Sequence, residues 1–111
     1  MAGGVIRGEI WMIDLGLAAK PRPAVILSVP FRENEKSVVT YVARTTQLRG
    51  GRFEVAHAAP HFLPGAFDAQ NLGTIPVVKL MRRLGQLSPA DLARVEGAVR
   101  QWLGLTAVNT P

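Results

Sequence analysis

Apolar residues fall along this chain in short bursts separated by turn-forming residues, and nearly everywhere the spacing is that of strands. Gly8–Leu15 (GEIWMIDL) alternates imperfectly around Ile10, Trp11 and Ile13 and predicts a first strand. Arg22–Val29 (RPAVILSV) is an almost unbroken apolar run, the pattern of a strand covered on both faces. Ser37–Thr46 (SVVTYVARTT) is β-branched or aromatic at every position from Val38 to Val42. Gln47–Gly51 then turns, with Gly50-Gly51 at its tip, and Arg52–Ala56 returns, which predicts a hairpin between these two strands. His57–Gly65 carries Pro60 and Pro64 and reads as loop. A short strand opens at Ala66 and runs to Leu72, and Thr74-Ile75-Pro76 breaks the chain. Val77–Leu80 supplies one helical turn, and Met81–Leu87 predicts a last strand.

The period changes only near the end. Ser88 is a capping residue, Pro89 suits the first helical position, and Asp91 is an acid in the first turn. Leu92, Val95, Val99 and Trp102 then recur at helical spacing, and Gly104 is a natural stop. Residues 106–111 read as a frayed tail. Short strands followed by one amphipathic helix predict a mainly β single domain over residues 1–105, a small antiparallel barrel lidded by the C-terminal helix.

Composition narrows the function classes. A chain of 111 residues, 48% apolar and 19% charged, has the make-up of one globular core. Runs such as Ala24–Leu27 are too short to span a bilayer, so no membrane role is expected. The N-terminus reaches Arg7 without a long apolar run, which argues against a signal peptide. The absence of cysteine excludes disulfides and thiolate metal sites and fits a cytoplasmic address. Thirteen Lys and Arg against eight Asp and Glu give a net charge of +5. That balance favours a polyanionic partner, nucleic acid first and an acidic protein segment second.

The chain has no strand–glycine loop–helix fingerprint for nucleotides and no nucleophilic triad signature. His57 and His61 sit in the proline-rich loop and read as surface histidines rather than as a metal pair, so no metal or cofactor is expected. What does cluster is cationic and hydroxylic. Arg22 lies between Pro21 and Pro23, which restrict the backbone on both sides of an always-charged guanidinium. The third strand ends in Arg44-Thr45-Thr46-Gln47, and Arg49 and Arg52 flank the double glycine. Antiparallel pairing of strands two and three would set Arg22 and Thr45-Thr46 at one rim of the sheet, an arrangement suited to a phosphate. Lys79, Arg82 and Arg83 form a second basic group, read as a solvated face, with contact to a nucleic-acid backbone the alternative.

The segments RGEIWMIDLG (Arg7–Gly16), KPRPAVILS (Lys20–Ser28), RTTQLRGGRFEV (Arg44–Val55) and RRLGQLSPADLARVEGAVRQWLGL (Arg82–Leu105) follow one another in an order that resembles the MazF/PemK toxins of bacterial toxin–antitoxin pairs. The resemblance implies an SH3-like barrel, a homodimer and metal-independent, sequence-selective cleavage of single-stranded RNA. It also implies a cognate antitoxin that would lay an acidic segment across the basic face. Arg22 and Thr45 match the family positions central to the reaction, with Thr46, Gln47, Arg49, Arg52, Asp68 and Gln70 as the surrounding substrate-binding residues. In two places the chain departs from the family pattern. Gly16–Pro21 is shorter than the usual loop after the first strand and lacks its Gly-x-Glu-Gln segment. Either Asp68 or Gln70 takes the acidic position of the later strand, depending on the alignment. A second reading is an SH3-like module that holds nucleic acid or an acidic peptide without cutting it. Growth arrest on expression, relieved by Arg22→Ala, separates the two.

Overall fold

The computed structural model describes residues 4–16 and 20–105, so the expected tail and part of the loop after the first strand lie outside the described residues. Six strands, β1 (Glu9–Ile13), β2 (Arg22–Ile26), β3 (Val38–Thr45), β4 (Glu54–His57), β5 (Gly65–Pro76) and β6 (Leu80–Gln86), precede one helix, α1 (Pro89–Leu103). All pairings are antiparallel, in the order β4-β5-β3-β2-β1-β6. The mainly β architecture with a C-terminal helix is the expected one. The sheet is open rather than closed, because β4 and β6 remain as its edges.

Apolar bursts with both faces covered have a direct counterpart in the packing. On one face Ile10, Val25, Val42, Phe67 and Val95 form a core with Leu87 and Ala98. On the other, Ala24, Ile26, Val39, Tyr41 and Ala43 gather around Ile13. Adjacent residues of β2 and β3 thus serve opposite cores, which is why those strands read as unbroken apolar runs. Helix α1 lies on the first core, against β4 and β5. Ser88 Oγ accepts the Asp91 N–H at 3.1 Å, and Gly104 closes the helix at φ 73°. Val95 and Ala98 are buried, Leu92 and Val99 pack beside them, and Trp102 meets Phe53 edge-on with ring centres 5.4 Å apart. Burying a side chain the size of Val95 contributes about 1.5–3 kcal/mol. An ion pair from Arg7 to Glu96 ties the start of the chain to the helix.

In two respects the structure overturns the expected topology. No β3–β4 hairpin forms, because β5 inserts between the two strands and pairs with both. The Glu54 carboxylate accepts the N–H groups of Arg49 (2.9 Å) and Gly50 (2.9 Å), folding the connection on itself. That held loop carries β4 past its nearest sequence neighbour to the far side of β5. Nor does the chain break at Thr74: β5 runs on to Pro76, which stands at its last position, where a missing N–H removes no further rung. Strand β2 stops earlier than expected because the N–H groups of Leu27 and Ser28 both turn to the Thr40 carbonyl. The expected helical turn is present as a 3-10 turn over Val77–Lys79. No described helix is long and apolar enough to cross a membrane.

Candidate active site

Arg22 opens β2 and is solvent-exposed, and among the described residues no carboxylate pairs with it. The β2–β3 register pairs Ala24 with Ala43 and, carried two residues further, sets Arg22 opposite Thr45. The rim inferred from the sequence is therefore real. Thr45 Oγ1 accepts the Gln47 N–H at 3.0 Å, which fixes the hydroxyl and leaves its own proton free to donate.

Two clefts meet at this rim. The first, about 690 Å³, is lined by Lys20, Arg22, Arg44 and Arg82 together with Thr45, Thr46, Gln47, His61 and Phe62. The second, about 470 Å³, is lined by Arg22, Thr45, Gln47 and Arg49 together with Glu54, Asp68, Gln70 and Asn71. Arg22, Thr45 and Gln47 belong to both and form the wall between them. Seven of the eight residues singled out from the sequence thus come together: Arg22, Thr45, Thr46, Gln47, Arg49, Asp68 and Gln70. Arg52 does not join them, because its guanidinium lies over the Phe53 ring at 4.5 Å and lines neither cleft.

The aim of Asp68 and Gln70 comes from an irregularity. Between the rungs Val42–Leu72 and Arg44–Phe67, β3 spends one residue while β5 spends the four residues Asp68–Asn71. A bulge of that kind bends the strand and turns side chains toward the site beside it. Asp68 Oδ1 accepts the Gln70 N–H at 3.0 Å, stiffening the bulge. Glu54, opposite Asp68 across the β4–β5 ladder, spends both oxygens on the Arg49–Gly50 loop.

Sequence reasoning grouped Arg44 with the cations of the strand end but did not foresee that it is buried as the floor of the first cleft. Arg44 is only 4% exposed. Its Nε donates to His57 Nδ1 at 2.9 Å, and Nη2 donates to the carbonyls of His57 (2.9 Å) and Leu63 (2.6 Å). Phe62 stacks on the guanidinium at 5.0 Å. A Cβ on Gly65 would fall 2.9 Å from Arg44 Nη1 and closer still to the Thr45 carbonyl, so only glycine fits there. His57, read as a surface loop histidine, is instead buried at the end of β4. Burial and then the Arg44 charge hold its pKa below the ordinary value, with Asp91 pulling the other way. Its Nδ1 must be unprotonated to accept from Arg44. Burial lowers the Arg44 pKa too, yet a guanidinium stays charged at any working pH.

The second basic group divides. Arg82 lines the first cleft, placed there by the β1–β6 rung to Met12, itself opposite Pro23. Arg83 turns away to Glu9 at 2.8 Å. Burial raises the Glu9 pKa, but the Ile6 N–H, the Trp11 indole and Arg83 together outweigh it and keep the pKa low. Alternation along β6 sends the adjacent arginines to opposite faces, and the long-range pairing with β1 decides which of them meets the cleft.

A small antiparallel β domain with two clefts meeting at one sheet rim, the first lined by four cations and no carboxylate, defines a binder of extended polyanions, with an exposed guanidinium and a hydroxyl where a phosphate would sit. The sequence model of the family described as "PemK-like, MazF-like toxin of type II toxin-antitoxin system" matches residues 6–103, and the chain belongs to that family. It is 32% identical over 100 residues to the protein named "Endoribonuclease MazF1" of Mycobacterium bovis, covering 90% of this chain and 93% of that one. "Endoribonuclease MazF4" of Mycobacterium tuberculosis matches to the same extent, 32% over 100 residues. Among solved structures, an endoribonuclease in complex with its cognate antitoxin from a mycobacterial species superimposes with a TM-score of 0.80 at 29% identity, covering 94% of this chain and 99% of that one. The Mycobacterium tuberculosis toxin MazF-mt6 follows with a TM-score of 0.73 at 30% identity, over 89% and 99% of the two chains.

Proposed function

We infer that this protein is the toxin of a type II toxin–antitoxin pair and that it is an endoribonuclease cutting single-stranded RNA. The observation that carries the reading is Arg22 facing Thr45 on the wall common to both clefts. The RNA lies along the groove with the scissile phosphate on that wall. Its own 2′-oxygen attacks the adjacent phosphorus, the bond from phosphorus to the 5′-oxygen breaks, and the products are a 2′,3′-cyclic phosphate and a 5′-hydroxyl. Arg22 stabilises the charge that develops on the non-bridging oxygens, and the Thr45 hydroxyl donates a hydrogen bond to one of them. The 2′-hydroxyl proton passes to Asp68, whose Oδ2 is uncommitted; Gln70 is an amide and cannot take it, and the Glu54 oxygens are engaged. The departing 5′-oxygen collects a proton from water in the open groove. The step calls for neither metal nor cofactor.

The antitoxin presents an acidic segment to the cationic groove and covers Arg22, a partnership supported by the net charge of +5 and by the antitoxin complex of the mycobacterial relative. The toxin acts as a homodimer in the cytoplasm. Nothing in the site favours the non-cutting binding module. The test is incubation of wild type and Arg22→Ala with a long single-stranded RNA in EDTA, followed by analysis of fragment ends. Discrete cuts ending in cyclic phosphate and 5′-hydroxyl are expected from the wild type, with the rate reduced at least ~10²–10³-fold in Arg22→Ala. Intact RNA from folded wild-type protein would overturn the reading.

A further inference from the structure

Arg44 is a buried cation without a counter-charge. Its partners are an imidazole nitrogen and the carbonyls of His57 and Leu63, and among the described residues no carboxylate reaches it. Taking a charge out of water without an anion is costly, and neutral acceptors offset only part of that cost. The guanidinium is also not used up. Nε and Nη2 donate to the protein, whereas Nη1 donates to no described residue. No fully buried side-chain polar atom among the described residues lacks a partner, so Nη1 keeps some contact with solvent, and Arg44 is one of the residues that line the first cleft. That cleft has Lys20, Arg22, Arg44 and Arg82 on its walls and no Asp or Glu.

We propose that Arg44 is a second anion-holding residue of the groove, which takes a neighbouring phosphodiester of the RNA through Nη1 while Arg22 and Thr45 hold the scissile one. This rests on the ribonuclease reading for the identity of the polymer. A regular strand alternates its side chains between faces, so Arg44 reaches the cleft from beneath while Thr45 reaches it from the rim. The two phosphates are therefore gripped at different depths. His57, Leu63 and the Phe62 ring fix the fork, so little side-chain entropy is lost when the anion arrives. Arg44 is thus a binding residue that orients the strand for cleavage at the next phosphate, not a group acting on the reacting atoms.

The test is RNA binding as a function of salt, using wild type and Arg44→Met with a short single-stranded RNA blocked by a 2′-deoxy sugar at the cut site, or unmodified if no cut is found. Loss of one phosphate contact lowers the slope of log affinity against log salt by ~0.7. It weakens binding about ten- to a hundredfold at low salt. A purely structural arginine would leave the slope unchanged. Should Arg44→Met fail to fold, wild-type protein is titrated with RNAs carrying a single neutral methylphosphonate at successive positions. One neutralised position beside the scissile phosphate is expected to reproduce the loss, and a flat profile outside the scissile phosphate would overturn the proposal. An unchanged slope together with weakened binding of an acidic peptide would assign Arg44 to a protein partner and equally overturn it. RNA bound with the expected slope change but never cut would leave the inference standing and sink the ribonuclease reading. RNA cut normally with an unchanged slope would do the reverse.

Discussion

The two clefts share Arg22, Thr45 and Gln47 but are built on opposite electrostatic plans. The first gathers four cations and no carboxylate around the aromatic ring of Phe62. The second sets Arg22 and Arg49 against Glu54 and Asp68, with the amides of Gln70 and Asn71 between them. An all-cationic cleft attracts phosphates in any sequence context, and its grip weakens with salt. A cleft with matched charges and amides gains little from net charge and more from hydrogen bonds to particular donors and acceptors, such as base edges. The difference teaches a division of labour along the strand: holding on one side of the Arg22–Thr45 wall, proton acceptance and discrimination on the other.

The largest effect belongs to the wall itself. Thr45→Val keeps the volume and removes the hydroxyl, so cleavage is expected to fall ~10²–10³-fold while RNA affinity changes little. Thr45→Ser should restore most of the rate, and full cleavage by Thr45→Val would show that the wall does not touch the scissile phosphate. A smaller change should follow Glu54→Gln, which removes a negative charge from the second cleft and weakens the clamp on the Arg49–Gly50 loop. Stability measured by urea unfolding is expected to drop by about 1 kcal/mol, and RNA binding to tighten by about twofold to fivefold. Unchanged affinity would mean that the carboxylates do not set the contrast between the clefts. The smallest effect is on pH. His57 is held neutral beneath the first cleft by burial and by Arg44, against the opposing pull of Asp91, with Phe62 and Phe67 packed on the ring. Above its ordinary pKa of ~6.5 the imidazole is neutral folded or unfolded and contributes nothing to pH dependence. Below that value the unfolded chain takes up the proton first, so folding stability falls with acidification until the folded imidazole titrates. His57→Gln, whose amide oxygen can still accept from Arg44, should flatten unfolding free energy between pH 6.5 and acid relative to wild type; identical slopes would show that His57 is not the sensor.

What the sequence disclosed was what short-range chemistry decides. Helix α1 was legible from end to end because Ser88, Pro89, Asp91 and Gly104 act within a turn of where they stand. The Arg22–Thr45 rim was legible because β2 and β3 are consecutive strands whose antiparallel register follows from adjacency. Arg44, by contrast, read as one more cation beside Thr45; that it is buried depends on His57 and Leu63 arriving from β4 and the loop beyond it. Which of Arg82 and Arg83 joins the cleft depends on β6 finding β1 across almost the whole chain. The hairpin expected from Gly50-Gly51 failed because a double glycine permits a turn without specifying its partner. The Glu54 clamp and the length of β5 decided that instead.

The insertion of β5 also decides what the domain can lose piecemeal. Strand β4 has a single neighbour in the sheet, and that neighbour is β5. Any partial opening that frees β5 therefore removes β4 as well, taking Glu54, Asp68 and Gln70 together and dismantling the second cleft as one unit. The β2–β3 ladder keeps its own pairing in such an opening, but its Thr45 end loses the rungs from Arg44 and Thr45 to Phe67 and Ala66 of β5. The first cleft loses its floor in the same event, because His57 of β4 holds Arg44, so the two halves of the groove differ in charge but share one cooperative unit.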